Sequence, residues 1–247
     1  MQPLLSRKEV LLAGVGAALF RPGIAGASFF HEADGQGLVA AALGWDAQAA
    51  LQRVGAFAAC ATPAREAAMT FVLCGAEPRE AELAAVLRQV SGPDVRPMVG
   101  VRDFGGSPSR AWELARALEA PIIIASNSSD DALADVVRLG HPLAYSGACG
   151  LDPADFDAVC GGRRVGRMFQ WVDGGEVPAL PTEPVTGALL VAVGGRAVSL
   201  LEFSELVTRV QAEITPEAEL LFQLHVEEVE APLRCWLVVF LAPPEGR

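Results

Sequence analysis

The side chains able to do chemistry are dispersed along this chain, and where they gather they are acidic. Glu77, Glu80 and Glu82 follow the apolar run Thr70–Cys74 and Gly75, with Arg79 among them. Carboxylates at the start of a helix favour its positive end with no ligand present. A second cluster, Asp152-Pro153-Ala154-Asp155-Phe156-Asp157, lies where a loop enters a helical stretch, and Asp152 or Asp155 there has a sufficient role as an N-cap. Gly14 and Gly16 close the apolar run from Glu9 to Val15, as remnants of a phosphate loop would after the first strand of a nucleotide-binding fold. His31, His141 and His225 stand alone, and Cys60, Cys74, Cys149, Cys160 and Cys235 are odd in number and lack CxxC spacing. Reduced thiols in a cytoplasmic protein with no metal site are the expectation.

The elements that must position these residues alternate. Leu38 to Leu43, Thr70 to Cys74, Pro97 to Val101 and Pro121 to Ala125 are short apolar runs, separated by helical spacing over Ala81 to Val90 and Trp112 to Leu118. Such alternation predicts a parallel sheet wound in the Rossmann manner. Further on, Leu189 to Val193 is an apolar run bounded by glycines, as in a strand buried on both faces. Ser199 and Glu202 have capping-box spacing, and Phe203, Leu206, Val207, Val210 and Ile214 then form one helical stripe that Thr215-Pro216 ends. Leu220 to Val226 and Leu233 to Leu241 read as two more strands, joined through an acidic turn. Gly140, Pro142 and Gly147 predict that a helix between Asp131 and Gly150 is shortened or broken.

With 247 residues, 51% of them hydrophobic, the chain can bury a sizeable core. Its net charge of -11 opposes nucleic acid and anionic membrane surfaces as partners. The N-terminus carries two competing patterns. Ser6-Arg7-Lys8, an apolar stretch to Phe20 and Ala25-Gly26-Ala27 have the layout of an export signal. The alternative makes Glu9 to Val15 the first strand, with Val10 to Val15 buried as a central strand and Leu38 to Leu43 as the second strand.

Several of these segments together resemble FtsZ, the bacterial tubulin homologue. The run from Gly187 to Gly195, the capped helix after Ser199, Ile214-Thr215-Pro216-Glu217-Ala218 and Leu220-Leu221-Phe222 are similar in order and spacing to that family's glycine-ended strand, helix, "DPDA"-like turn and "NIIFG" strand. Trp45-Asp46-Ala47-Gln48-Ala49 resembles "NTDAQAL", Asp103-Phe104 resembles "KPF", and Pro121 to Asn127 resembles "TLIVIPND". The resemblance implies an α/β protein with a Rossmann-like parallel-sheet lobe over 1–148 and a smaller α/β lobe with a mixed sheet over 149–247. It makes Gly14, Gly16, Asp46, Gly75 and Asn127 the vestiges of nucleotide loops.

The departures from the family decide the functional expectation. Where the family has "GGGTGTG", only Gly75 remains, and Glu77, Pro78, Glu80 and Glu82 crowd or repel a phosphate while Arg79 offsets one charge. The family's catalytic loop, "NxDFAD", has become Pro153-Ala154-Asp155-Phe156-Asp157-Ala158. Asp157 is one residue early, which turns a helical side chain by about 100°. Asp155 and Asp157 are therefore expected to be vestigial as catalysts, and Asp155 and Phe156 to serve contact with a partner. The prolines between Val172 and Gly187 replace a helix, and the few residues after Leu241 leave no room for the family's tethering peptide. The resulting expectation is a pseudo-GTPase with no cofactor, binding FtsZ or a second copy of itself without a direct membrane tether. A divergent GTP-binding homologue and an exported protein are the alternatives.

Overall fold

A computed structural model describes residues 27–32, 38–43, 47, 49–50, 57–58, 69–75, 80–90, 96–102, 108–125, 132–144, 153–172, 176–227 and 230–244. The strands are β1 (Ala27–Glu32), β2 (Leu38–Leu43), β3 (Phe57–Ala58), β4 (Met69–Cys74), β5 (Arg96–Arg102), β6 (Ile122–Ala125), β7 (Val165–Val172), β8 (Val185–Gly194), β9 (Glu219–Val226) and β10 (Arg234–Leu241). The helices are α1 (Glu80–Val90), α2 (Ser109–Leu118), α3 (Ala132–Ala144), α4 (Pro153–Cys160) and α5 (Leu200–Glu213).

All ten strands join one sheet in the order β3-β1-β2-β4-β5-β6-β7-β10-β8-β9. From β2 to β7 every neighbour is parallel, as expected of βαβ crossovers. β10 then inserts antiparallel to both β7 and β8, and β9 returns parallel to β8. The expected α/β architecture is present, with a mixed sheet in the second half. The sheet runs without interruption past residue 148, through the β6–β7 pair.

Alternation along the strands divides the core between two faces. Phe71 and Leu73 point to a cluster built with α3 and α4, whereas Val72 and Cys74 point to one built with α1 and α2. A third cluster sets Phe203, Leu206 and Val210 of α5 against Leu190, Leu237 and Val239. Ser199 and Glu202 form the expected capping box, and Ile214 ends α5 in extended conformation.

The central helix narrows the sequence reading. Gly140 and Pro142 lie within it rather than breaking it: α3 continues to Ala144, short of Gly147, and is the most enclosed helix described. Leu133, Ala134, Val136, Val137 and Leu139 are fully buried. Each such aliphatic side chain contributes about 1.5–3 kcal/mol, against roughly 1 kcal/mol for a helical glycine. Pro142 falls in the last turn, where the bond it forfeits is one of few remaining. α3 also touches β2, β4, β5 and β6 as well as β8 and β9. From β2 to β9 is seven strand spacings, about 34 Å laid flat. α3 is only about 20 Å long, so the sheet coils round it. Gly100 permits this closeness, since a Cβ there would lie 2.9 Å from both Leu73 Cδ2 and Val136 Cγ1. Asp135, 1% exposed, is held inside by Arg138, whose Nη1 donates to Oδ1 at 2.8 Å.

Two further differences concern strands. The sequence reading contains no strand between α4 and the proline-rich connector, yet β7 is there and links the halves of the sheet. Arg167 and Gln170 interrupt its apolar pattern, which conceals a strand with neighbours on both sides. The expected strand at Glu9–Val15 lies outside the described residues; β2 is bonded to β1 on one edge and β4 on the other.

Candidate functional site

The carboxyl ends of the parallel strands form one row. Leu43 pairs with Cys74, Cys74 with Val101, and Arg102 with Ala125, so β2, β4, β5 and β6 stop level with one another. The chain then leaves β2 and β4 toward opposite faces. Ala47 and Ala50 join the α3 cluster, whereas Leu83 and Val86 join the α1 cluster. In open α/β sheets, ligands are taken beyond the carboxyl ends at a switch of this kind.

Three of the five expected nucleotide residues belong by sequence to this rim. Gly75 directly follows β4 and is buried. Asp46 follows β2 by three residues and Asn127 follows β6 by two, and both lie outside the described residues, as do Gly14 and Gly16. Among the described residues, the strands beside β4 are β2 and β5. Arg102 is a rim residue not foreseen: it closes β5, half-buried, between the loops of Gly75 and Asn127. A cation directly after the apolar run Pro97–Val101, at its carboxyl end, is the signal that marks it. Across the rim Glu80 and Glu82 stand exposed in the first turn of α1, where their charge favours the helix's positive end.

The acidic cluster after Asp152 is helical from Pro153. Asp155 and Asp157 are exposed on α4, but Phe156 is buried at 6%. Phe156 therefore belongs to the core shared by α3 and α4, and the expectation that its ring meets a partner is corrected: the helical turn that exposes its two acidic neighbours directs it inward. α4 rests on β8 and β9. It leads to β7, whose start pairs with the start of β6, and Ile122 N donates to the Arg164 carbonyl at 2.9 Å. The end of α4 thus meets the amino ends of the parallel strands, opposite their carboxyl ends, so the two sets of residues do not converge within one molecule.

Electrostatics around α4 make no nucleophile. Burial pushes the Cys160 thiol well up, with Arg164 pulling it down and Asp157 adding to the rise. The thiol stays protonated and inert. Arg164 Nη2 donates to the Ala158 carbonyl at 2.7 Å, closing the end of the helix. Among the described residues no group of three or more His, Cys, Asp or Glu side chains is placed to hold a metal ion, and no helix is long and apolar enough to cross a membrane.

No family model matches the sequence, and no curated protein is significantly similar to it. Solved structures do share the fold. A mutant FtsZ from M. jannaschii superposes with a TM-score of 0.52 at 18% identity, covering 70% of this chain and 65% of that one. An empty FtsZ dimer from M. jannaschii gives 0.54 at 17%, over 71% and 64%. CetZ from Methanosaeta thermophila gives 0.50 at 14%, over 72% and 62%. The chain thus spans under two thirds of each of these structures. A mostly parallel sheet flanked by helices, with a mixed second half, that superposes on these structures is the FtsZ/tubulin-like fold.

Proposed function

We propose that this protein acts through protein–protein contacts on FtsZ-type filaments, as a pseudo-GTPase that modulates their assembly in the cytoplasm. The observation that carries the reading is the first turn of α1, where Glu80 and Glu82 occupy the helix N-terminus beside the carboxyl ends of the parallel strands. A phosphate placed there meets negative charge where a phosphate-binding loop offers bare N–H groups. The solved structures include FtsZ as a dimer, which supports association as the mode of action. The exposed carboxylates Asp155 and Asp157, opposite those ends, are the surface offered to a partner. A subunit with one working end binds a filament terminus without extending it.

Titration calorimetry with GTP and GDP tests the first part: no binding is expected, and a dissociation constant in the low micromolar range, about -8 kcal/mol, overturns it. Sedimentation of polymerising FtsZ with substoichiometric protein tests the second. Polymer should fall, and Asp155→Ala with Asp157→Ala should weaken the effect; unchanged polymer with the wild-type protein overturns the partner assignment.

The occupied edges of β2 favour a second reading of the N-terminus, as an export signal, because β2 needs no strand from Glu9–Val15. Mass spectrometry of the protein from its host separates the two: cleavage near Ala27 supports export and overturns the cytoplasmic placement, whereas intact mass supports it.

A further inference from the structure

Of the five large hydrophobic side chains exposed among the described residues, four gather at one corner of the molecule. Leu200 at 64% and Leu201 at 69% open α5, and Phe222 at 40% and Val226 at 39% lie on β9. Phe222 meets the buried Phe203 of α5 edge to face at 5.9 Å, which sets this face of β9 beside the helix. Val226 pairs with Gly194, where a Cβ would collide with Val198, and α5 begins two residues after Val198. Both leucines therefore stand at the Val226 end of β9. They add nothing to the core, since α5 meets the sheet through Phe203, Leu206 and Val210. A single exposed leucine is ordinary, but an apolar patch with a polar border marks a contact.

The border of this patch is acidic. Along α5 it continues without charge through Ser204 and Thr208, at helical spacing from the leucines. Glu205 then stands one turn beyond Leu201, and Glu227 and Glu230 follow Val226. Among the described residues none of these three makes an ion pair. Arg196 and Arg209, the arginines of the same segment, are already engaged. A second copy would bring the three carboxylates against their own kind on a chain of net charge -11. The same acid opposes an anionic membrane surface. The border therefore calls for a basic partner.

The length of the patch selects the form of that partner. Phe222 to Val226 spans about 13 Å along β9, and side chains from i to i+7 of a helix span about 10.5 Å. We propose that this corner is a docking surface for an amphipathic helix of a partner protein. Its apolar side chains at i, i+3, i+4 and i+7 cover Leu200, Leu201, Phe222 and Val226, and its flanking lysines or arginines meet Glu205, Glu227 and Glu230. The contact uses side chains and leaves the backbone edge of β9 out of account. α5 and α4 pack on opposite faces of the sheet, so the surface is separate from Asp155 and Asp157 and does not rest on the filament reading.

The experiment uses the full chain and a labelled model peptide of about 18 residues, long enough to be helical, with leucines on one face and lysines on the other. A scrambled peptide of the same composition and a version with glutamate for lysine accompany it. Fluorescence anisotropy should show micromolar binding of the lysine peptide and none of the other two. Leu201→Glu should weaken binding at least tenfold although it adds negative charge, which separates docking from attraction to an acidic protein at large. Glu205→Lys with Glu227→Lys should weaken the lysine peptide about tenfold and admit the glutamate peptide. Absence of saturable binding at about 100 μM overturns the proposal, as does binding indifferent to Leu201→Glu, equal for the scrambled peptide, or unmoved by the charge exchange. In sedimentation equilibrium of the chain alone, a dimer that Leu201→Glu dissociates makes a second copy the occupant and overturns it too. Circular dichroism matching the wild type in each variant ties a loss of binding to this surface.

Discussion

Two strand–helix–strand units of this protein are built alike and used differently. In one, β4 runs through Gly75 into α1 and returns as β5; in the other, β8 runs through Gly194 and Gly195 into α5 and returns as β9. Each begins with a buried apolar strand, places glycine after it and has acid in the first helical turn. In the second unit those features are all accounted for internally. Ser199 N donates to Glu202 Oε2 at 2.8 Å and Glu202 N donates to Ser199 Oγ at 3.2 Å. A Cβ at Gly194 would collide with Val198 Cγ2 and lie 2.9 Å from Leu233 Cδ1, so this glycine serves close packing. The first unit stands at the switch point, where the helix start carries two carboxylates, Glu80 and Glu82, against the single Glu202 of the second. Glycine after a strand is thus no proof of a ligand, and acid at a helix start satisfies the helix before any ligand arrives.

The largest effects expected probe what the units share. Leu83→Ala in α1 and Leu206→Ala in α5 each empty a fully buried site, and each should cost about 2–5 kcal/mol in urea unfolding. A much smaller loss for Leu83→Ala would show α1 to be the looser of the two. Gly194→Ala should cost about 1–3 kcal/mol by overpacking Val198 and Leu233. A neutral result would return that glycine to the pool of ligand-type residues.

Smaller effects probe the difference. Ser199→Ala should lower stability by about 1 kcal/mol through loss of the cap. Glu80→Gln with Glu82→Gln should cost only about 0.3–1 kcal/mol per carboxylate at low ionic strength, fading as salt screens the helix end. If melting temperature instead rises in phosphate for that double variant and not for the wild type, the carboxylates were holding an anion away from the helix start.

Local periodicity was enough for most strands, because burial of both sheet faces writes itself as apolar runs such as Phe71–Leu73, Ile122–Ile124 and Val238–Leu241. The capping box and the stripe of α5 were equally plain, since both are encoded within one or two helical turns. What stayed hidden depends on distant partners. Gly140 and Pro142 are helix-weakening residues whose effect is overridden by the burial of Leu133, Val136 and Val137 against several strands. β7 joins β6 to β10 across long stretches of chain, which no local pattern around Arg167 reveals. At the site, Gly75 and the acid of α1 were legible from the strand before them. The placing of β2 between β1 and β4 was not, because no local pattern names the neighbours of a strand. Phe156 was mistaken for surface because its two acidic neighbours turn outward from the same short helix.

The position of β10 has a consequence for the order of events during synthesis. It is the last strand described, yet it lies between β7 and β8, bonded to both. Everything from β1 to β7 can leave the ribosome and collapse while β8 and β9 remain a separate two-stranded ribbon. Until Arg234–Leu241 emerges, β7 and β8 each present an unfilled edge, and the nascent chain holds two incomplete sheets side by side. The strand that unites them emerges after β7, β8 and β9 and must enter a slot between edges already formed, in the opposite direction to both β7 and β8. A nascent chain stalled short of Arg234 should therefore be protease-sensitive across β8 and β9 while its earlier strands resist.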